Sequence, residues 1–170
     1  MKQTVWPKLT RSLLIRIALV APLVLLCHAL EWRGLRVLTT DTLVDLSALL
    51  GLPMPRLGWD LVLVGGVQVK FVVACTLVDA FCGAIPLLWR SARGMGWNVL
   101  RLAGVAVGFF GLNIFRLEIG FVGMHAGLPW WLAHECVSGI TYFAIFVWIV
   151  HDWRKFDAAA DVGSAAPAMA

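Results

Sequence analysis

Apolar residues gather in four long runs, at 13–30, 71–89, 97–115 and 136–150, with charges returning between them. A helix that crosses a bilayer needs roughly 20 mostly apolar residues, so each run predicts a spanning helix. The fourth is short, and the apolar stretch 128–133 ahead of it lengthens the buried segment. The segment 31–70 reads differently. Thr40-Asp41 predicts a helix N-cap, after which Leu43, Val44, Leu46, Leu49 and Leu50 make the apolar face of an interfacial helix. Gly51-Leu52-Pro53-Met54-Pro55 ends it. Leu61-Val62-Leu63-Val64 and Val67-Gln68-Val69-Lys70-Phe71 flank Gly65-Gly66, which predicts a short hairpin closed by a tight primed turn. From Ala158 the chain is Ala, Gly, Ser and Pro without periodicity, so 158–170 reads as a disordered tail after a single transmembrane domain over 1–157. No internal repeat is visible.

Composition supports an all-α, polytopic membrane fold with about four transmembrane helices. Hydrophobic residues make up 61% of the 170 and charged residues 14%, with a mean hydropathy of +0.85; soluble domains carry about a quarter charged residues. The net charge of +4 is scattered between apolar runs, which argues against a nucleic-acid partner and for the lipid bilayer as the chain's surroundings. The first run follows a basic start but holds Arg16 and Pro22 and lacks a small-x-small cleavage site, so it reads as a helix that stays.

Charge also orients the chain. Lys2, Lys8 and Arg11 precede the first run, Arg90, Arg93 and Arg101 lie around the turn between the second and third, and Arg154 and Lys155 follow the fourth. Alternating helices put all of these on one side, which the positive-inside rule makes the cytoplasm. Both termini are then cytoplasmic in an inner-membrane protein. The outer side holds Arg33, Arg36, Arg56, Lys70 and Arg116, a moderate bias.

The cysteines, Cys27, Cys75, Cys82 and Cys136, show neither CxxC nor zinc spacing, and no metal or cofactor is expected. Cys75 and Cys82 lie about 10 Å apart along one helix, too far for a disulfide. Cys27, Cys82 and Cys136 read as small apolar fillers.

Chemistry is sought where polar groups are expensive, because a charge at mid-bilayer costs at least ~2.5 kcal/mol. Helix order brings Cys75 to the outer start of the second helix, Asn113 and Arg116 to the outer end of the third, and His134 to the outer start of the fourth. A thiol, a guanidinium and an imidazole therefore meet at one depth. A cation favours the thiolate, the nucleophilic form. His134 can take the Cys75 proton and return it to a leaving amine. Arg116 can hold substrate or stabilise negative charge on a scissile carbonyl. Asn113, one turn before Arg116, can orient it or bind substrate. Asp79, one turn deeper than Cys75, reads as supporting structure or as a secondary site residue.

Each has an ordinary alternative. Cys75 suits packing, Arg116 suits an anchor whose charge reaches the interface, and His134 beside Trp130 and Trp131 suits the aromatic belt. His28 and His125 also lie on the outer side and compete for the base role. A non-enzymatic subunit or assembly factor is the main rival reading. A small transporter with Asp79 and His134 as a proton relay is less favoured, because the polar residues cluster at one face.

Over 49–146 the chain resembles the exosortase and archaeosortase family of membrane-embedded cysteine transpeptidases. The resemblance rests on Leu49-Leu50-Gly51-Leu52-Pro53 with Arg56, on Val72-Val73-Ala74-Cys75-Thr76, on Asn113-Ile114-Phe115-Arg116, and on His134 with Gly139. Leu77 stands where the family commonly has glycine, and the chain is shorter than eight-helix members. The resemblance implies Cys75 as nucleophile, Arg116 as catalytic arginine and His134 as base. It implies exported protein substrates with a C-terminal sorting signal, cleaved through a Cys thioester and transferred to an acceptor.

Overall fold

The computed structural model describes residues 6–164. Five α-helices and one hairpin carry the architecture: α1 (Trp6–Ala29), α2 (Arg33–Leu49), β1 (Leu61–Val64), β2 (Val67–Lys70), α3 (Val78–Leu88), α4 (Met95–His125) and α5 (Val137–Ser164). A 3-10 turn at Val73–Thr76 precedes α3, and a π-helical turn at Trp131–Cys136 leads into α5. The α4 segment and the segment Trp131–Trp153 are each long and apolar enough to cross a membrane; α1 and α2, bent by 77°, make a third span if taken together.

The run at 71–89 departs from expectation. It is extended at its start, then makes the 3-10 turn, and becomes α-helical only from Val78. Leu77 sits in the left-handed region with φ 54°, and that residue breaks the helix. The resulting α3 has 11 residues, about 16 Å. Arginines receive its C-terminal end. Arg16 donates to the carbonyls of Pro86 at 2.9 Å and Trp89 at 2.5 Å, and Arg101 donates to that of Leu88. Helix-end carbonyls without intrahelical partners need such donors. Arg101 and Arg90 also converge on Asp152 of α5, at 2.5 and 2.6 Å. Asn98 ties the turn between α3 and α4, accepting from Arg90 N–H at 2.8 Å and donating to the Arg90 carbonyl at 3.0 Å.

Small residues set two close approaches. A Cβ on Gly83 of α3 would lie 3.1 Å from Val24 and 3.3 Å from Val20 of α1. A Cβ on Gly120 of α4 would lie 2.8 Å from the carbonyl oxygen of Ala133, so this glycine admits the π-helical turn against α4.

The α2 helix begins at Arg33, seven residues before the expected cap at Thr40. Trp32, left-handed at φ 47°, makes the corner, and its indole N–H donates to the Cys27 carbonyl at 2.8 Å. Thr40 is internal, its hydroxyl donating back to the Arg36 carbonyl at 2.8 Å, a bond that a mid-helix threonine makes readily. Gly51, at φ 74°, ends the helix as the sequence predicts.

The hairpin forms at the predicted residues. Its strands pair antiparallel with Val64 opposite Val67 and Val62 opposite Val69, and Gly65 and Gly66 take φ 56° and 82°, the positive values that a primed turn demands. Val62, Val64, Val69 and Phe71 bury with Leu43, Met54, Ile114, Leu117 and Phe121 in one core between α2, the hairpin and α4. The α5 helix runs to Ser164, and of the tail expected from Ala158 the residues 165–170 lie outside the described residues.

Candidate functional site

Cys75 is delivered by the end of the hairpin. Phe71 N–H donates to the Asp60 carbonyl at 2.8 Å, and its own carbonyl accepts from Arg36 Nε at 2.9 Å. Arg36 is held in turn by Asp60 and by the Trp59 ring 4.5 Å beneath it. The chain then closes its 3-10 turn with Cys75 N–H on the Val72 carbonyl at 2.9 Å. Thr76 shapes this turn: its hydroxyl donates to the Val73 carbonyl at 2.7 Å and accepts from Val78 N–H at 3.4 Å. The threonine hydroxyl thus ties the turn to the first N–H of α3, whose N-cap position is Leu77.

Cys75 and His134 line the same cavity, about 310 Å³, walled by 67–72 of the hairpin, Leu117 and Phe121 of α4, and Trp130. The His134 ring stacks on Trp130 with centroids 4.2 Å apart. Its Nδ1 lies 3.2 Å from the Glu135 carboxylate, and its Nε2 is buried without a hydrogen-bond partner. A carboxylate at Nδ1 favours the tautomer with the proton there, which leaves the Nε2 lone pair free to accept one. His28 and His125 are engaged elsewhere. His28 Nε2 lies 3.5 Å from Asp79, and His125 Nδ1 lies 2.9 Å from the Phe121 carbonyl; neither lines this cavity.

Arg116 and Asn113 stand behind the thiol. Asn113 is fully buried; its amide donates to the Cys75 carbonyl at 2.8 Å, and its Oδ1 accepts from Arg116 Nη2 at 3.0 Å. The other arm of Arg116 donates to Ser138 Oγ at 2.8 Å. The guanidinium is 4% exposed and does not line the cavity. It thus reaches Cys75 through Asn113 and through its charge, and the expectation that it grips substrate directly has no counterpart in this arrangement.

Burial is the largest influence on the Cys75 thiol and pushes its pKa up; the charges of Arg116 and Arg36 pull it back down. Cys75 lies ahead of α3, where desolvation penalises the thiolate.

Asp79 is partnered. Its carboxylate accepts from Tyr142 Oη of α5 at 3.3 Å and from Ala80 N–H at 2.7 Å. It joins α3 to α5 and sits in the first turn of α3, where a negative charge suits the helix dipole. Among the described residues no three His, Cys, Asp or Glu side chains gather as a metal site.

Glu135, Ser138 and Tyr142 escape the sequence reading. Ser138 follows His134 by one turn, a spacing that puts both on one helix face, and that is the single local signal among the three. Glu118, a buried carboxyl, accepts from Ser47 Oγ at 2.7 Å and ties α4 to α2. Compared with known protein families, curated proteins and solved structures, the chain matches none of them.

Proposed function

We propose that the chain is a membrane-embedded cysteine protease or transpeptidase that cleaves C-terminal sorting signals of exported proteins at the outer face of the cytoplasmic membrane. The observation that carries this reading is the shared cavity of Cys75 and His134, with an unpartnered imidazole nitrogen facing a role as base. His134 Nε2 takes the Cys75 proton as Sγ attacks the scissile carbonyl. Collapse of that adduct breaks the C–N bond, the proton passes to the leaving amine, and a thioester remains on Cys75. An acceptor nucleophile then displaces Cys75: an amine completes transfer, water completes hydrolysis. Arg116 favours the thiolate from behind through its charge, and Asn113 fixes the Cys75 main chain. Neither metal nor cofactor is required by these steps.

In the proposed topology both termini are cytoplasmic, α1, α4 and α5 cross the membrane, the segment 71–88 returns the chain as an extended stretch followed by the short helix α3, and α2 and the hairpin sit outside. Two features support it. Leu100, Val107, Ile140 and Phe143 leave between 68% and 75% of their surface uncovered on the two long helices, an arrangement that lipid stabilises and water does not. Asn113 also lies 18 residues above the start of α4, about 27 Å, so the thiol beside it is at outer-interface depth. Reporter fusions at Arg93 and Asp157 should read cytoplasmic and one at Pro53 exported; a cytoplasmic signal at Pro53 would turn the cavity to the wrong compartment.

The rival is a non-enzymatic membrane subunit in which Cys75 only packs, favoured by its contact with the core around Phe71 and Phe121. Comparing exported proteins from cells with the wild-type gene and with Cys75→Ala decides between them. The peptidase reading expects at least one exported protein to retain its C-terminal signal in the variant, at equal abundance of the membrane protein. An unchanged set of processed proteins would favour the packing subunit.

A further inference from the structure

The two edges of the hairpin differ. The β1 edge is covered: Leu63 N–H donates to the Pro55 carbonyl at 2.9 Å, and the Leu61 carbonyl accepts from Leu57 at 2.9 Å and Gly58 at 3.1 Å. Arg56 pins this covering segment, donating to the carbonyls of Gly58 at 2.8 Å and Trp59 at 3.1 Å. Among the described residues the sheet has two strands, and β2 is its other edge. With Val67 opposite Val64 across a two-residue turn and Val69 opposite Val62, these two valines exchange main-chain bonds with β1, and the bond from Phe71 to Asp60 continues the alternation. The same alternation turns the N–H and C=O groups of Gln68 and Lys70 to the far side. Among the described residues, no hydrogen bond from outside the hairpin reaches either main chain. Val67, Gln68, Val69 and Lys70 all line the cavity shared by Cys75, His134 and Trp130.

We propose that β2 is the substrate-docking edge: an extended polypeptide segment adds to it as a third strand, bonded through its main chain to Gln68 and Lys70, with its scissile carbonyl beside Cys75. This deepens the peptidase reading and rests on it. The polar groups offered by the wall are main-chain donors and acceptors at every second residue, a spacing that an extended main chain matches. The remaining lining, including Val72, Leu117, Phe121 and Trp130, suits apolar side chains on such a strand. The edge also runs directly into the turn that carries Cys75, so bound strand and nucleophile are in register by construction. Recognition through main-chain bonds tolerates varied sequence and leaves selectivity to the apolar lining.

The test uses the full-length protein in detergent and acetyl-Val-Leu-Val chloromethyl ketone, whose chloride Cys75 Sγ displaces to form a thioether. Labelling at Cys75 is followed by mass spectrometry with peptide mapping. Chloroacetone, the same electrophile without a peptide, is the reference, and each amide of the tripeptide is N-methylated in turn. Docking on β2 predicts labelling about tenfold faster than with chloroacetone. N-methylation should slow it about fivefold at alternate positions, the effect of one net main-chain hydrogen bond, and little at the position between. Gln68→Pro removes an outward N–H while sparing the bonds of Val67 and Val69, and should slow the peptide reagent but not chloroacetone. If Gln68→Pro also alters the chloroacetone rate, the hairpin itself has moved and the N-methyl series decides. Equal rates across that series, or no gain over chloroacetone, would overturn the docking edge and leave Cys75 as a nucleophile. A Cys75 inert to both reagents would overturn the nucleophile and the docking edge together.

Discussion

Asn113 donates its side-chain amide to the main-chain carbonyl of Cys75 at 2.8 Å, from a fully buried position on α4. Its oxygen holds Arg116 at the same time, so one side chain joins the thiol's main chain to a guanidinium. Asn113→Ala removes both bonds and should cost about 1–3 kcal/mol, read as a lower thermal midpoint in detergent. Asn113→Asp keeps the acceptor for Arg116 and loses the donor to Cys75. Both variants should slow Cys75 alkylation, and wild-type rates in both would show that the link does not position the thiol.

The base role of His134 has a pH signature. Burial raises the Cys75 pKa, so without a base the thiolate grows roughly tenfold per pH unit and keeps growing beyond the ordinary thiol value of about 8.5. His134→Ala should therefore react slowly at pH 7 and accelerate steadily up to pH 9 and above. The wild type should be faster at pH 7 and flatter over the same range. Superimposable pH–rate profiles would remove His134 from the proton transfer.

Arg116 spends its two arms on partners from different helices, Asn113 at 3.0 Å and Ser138 at 2.8 Å. Lysine keeps the charge but lacks the planar fork. Arg116→Lys should still accumulate in the membrane yet lose most processing in cells. Ser138→Ala should lose about 1–3 kcal/mol of stability, because it leaves a buried Arg116 donor without a partner, and keep most activity. Full activity in Arg116→Lys would reduce the arginine to a point charge.

Gly120 is predicted to govern the position of His134. Alanine favours a helix over glycine by about 1 kcal/mol, but its Cβ would meet the Ala133 carbonyl oxygen at 2.8 Å. Backbone must yield, and the residue next to that carbonyl is His134. Gly120→Ala should fold and lower alkylation of Cys75 at pH 7, with the loss recovered at high pH where no base is needed. An unchanged rate at pH 7 would mean that the π-helical turn yields without moving the imidazole.

Leu77 is strained and buried at once. Its left-handed backbone costs of order 1–2 kcal/mol relative to glycine, yet its side chain is fully buried with Phe109 and Ile145. Removing a buried leucine side chain costs about 2–5 kcal/mol. Leu77→Gly should thus lower the thermal midpoint although it relieves the backbone, and a gain in stability would show that packing there is weak.

Local pattern carried much of this protein. The apolar runs foretold helices because burial in any apolar medium selects continuous apolar sequence, and Gly65-Gly66 between alternating strands foretold the hairpin because few other residues accept positive φ. Helix order led to the expectation that Cys75 and His134 lie near one another, and both line one cavity. Tertiary structure decided what order cannot. An apolar run has no mark for where its helix starts, and α3 begins at Val78 because Leu77, its N-cap, takes a left-handed backbone in a buried site that offsets the strain. The partners of Arg116 are 3 and 22 residues away, and the more distant one is fixed by how α4 and α5 pack. Which edge of the hairpin stays open depends on 55–58 folding back over β1. Cys75, Asn113, Arg116 and His134 can be singled out in the sequence; which of them faces the cavity and which stands behind it is a matter of contacts between segments far apart in the chain.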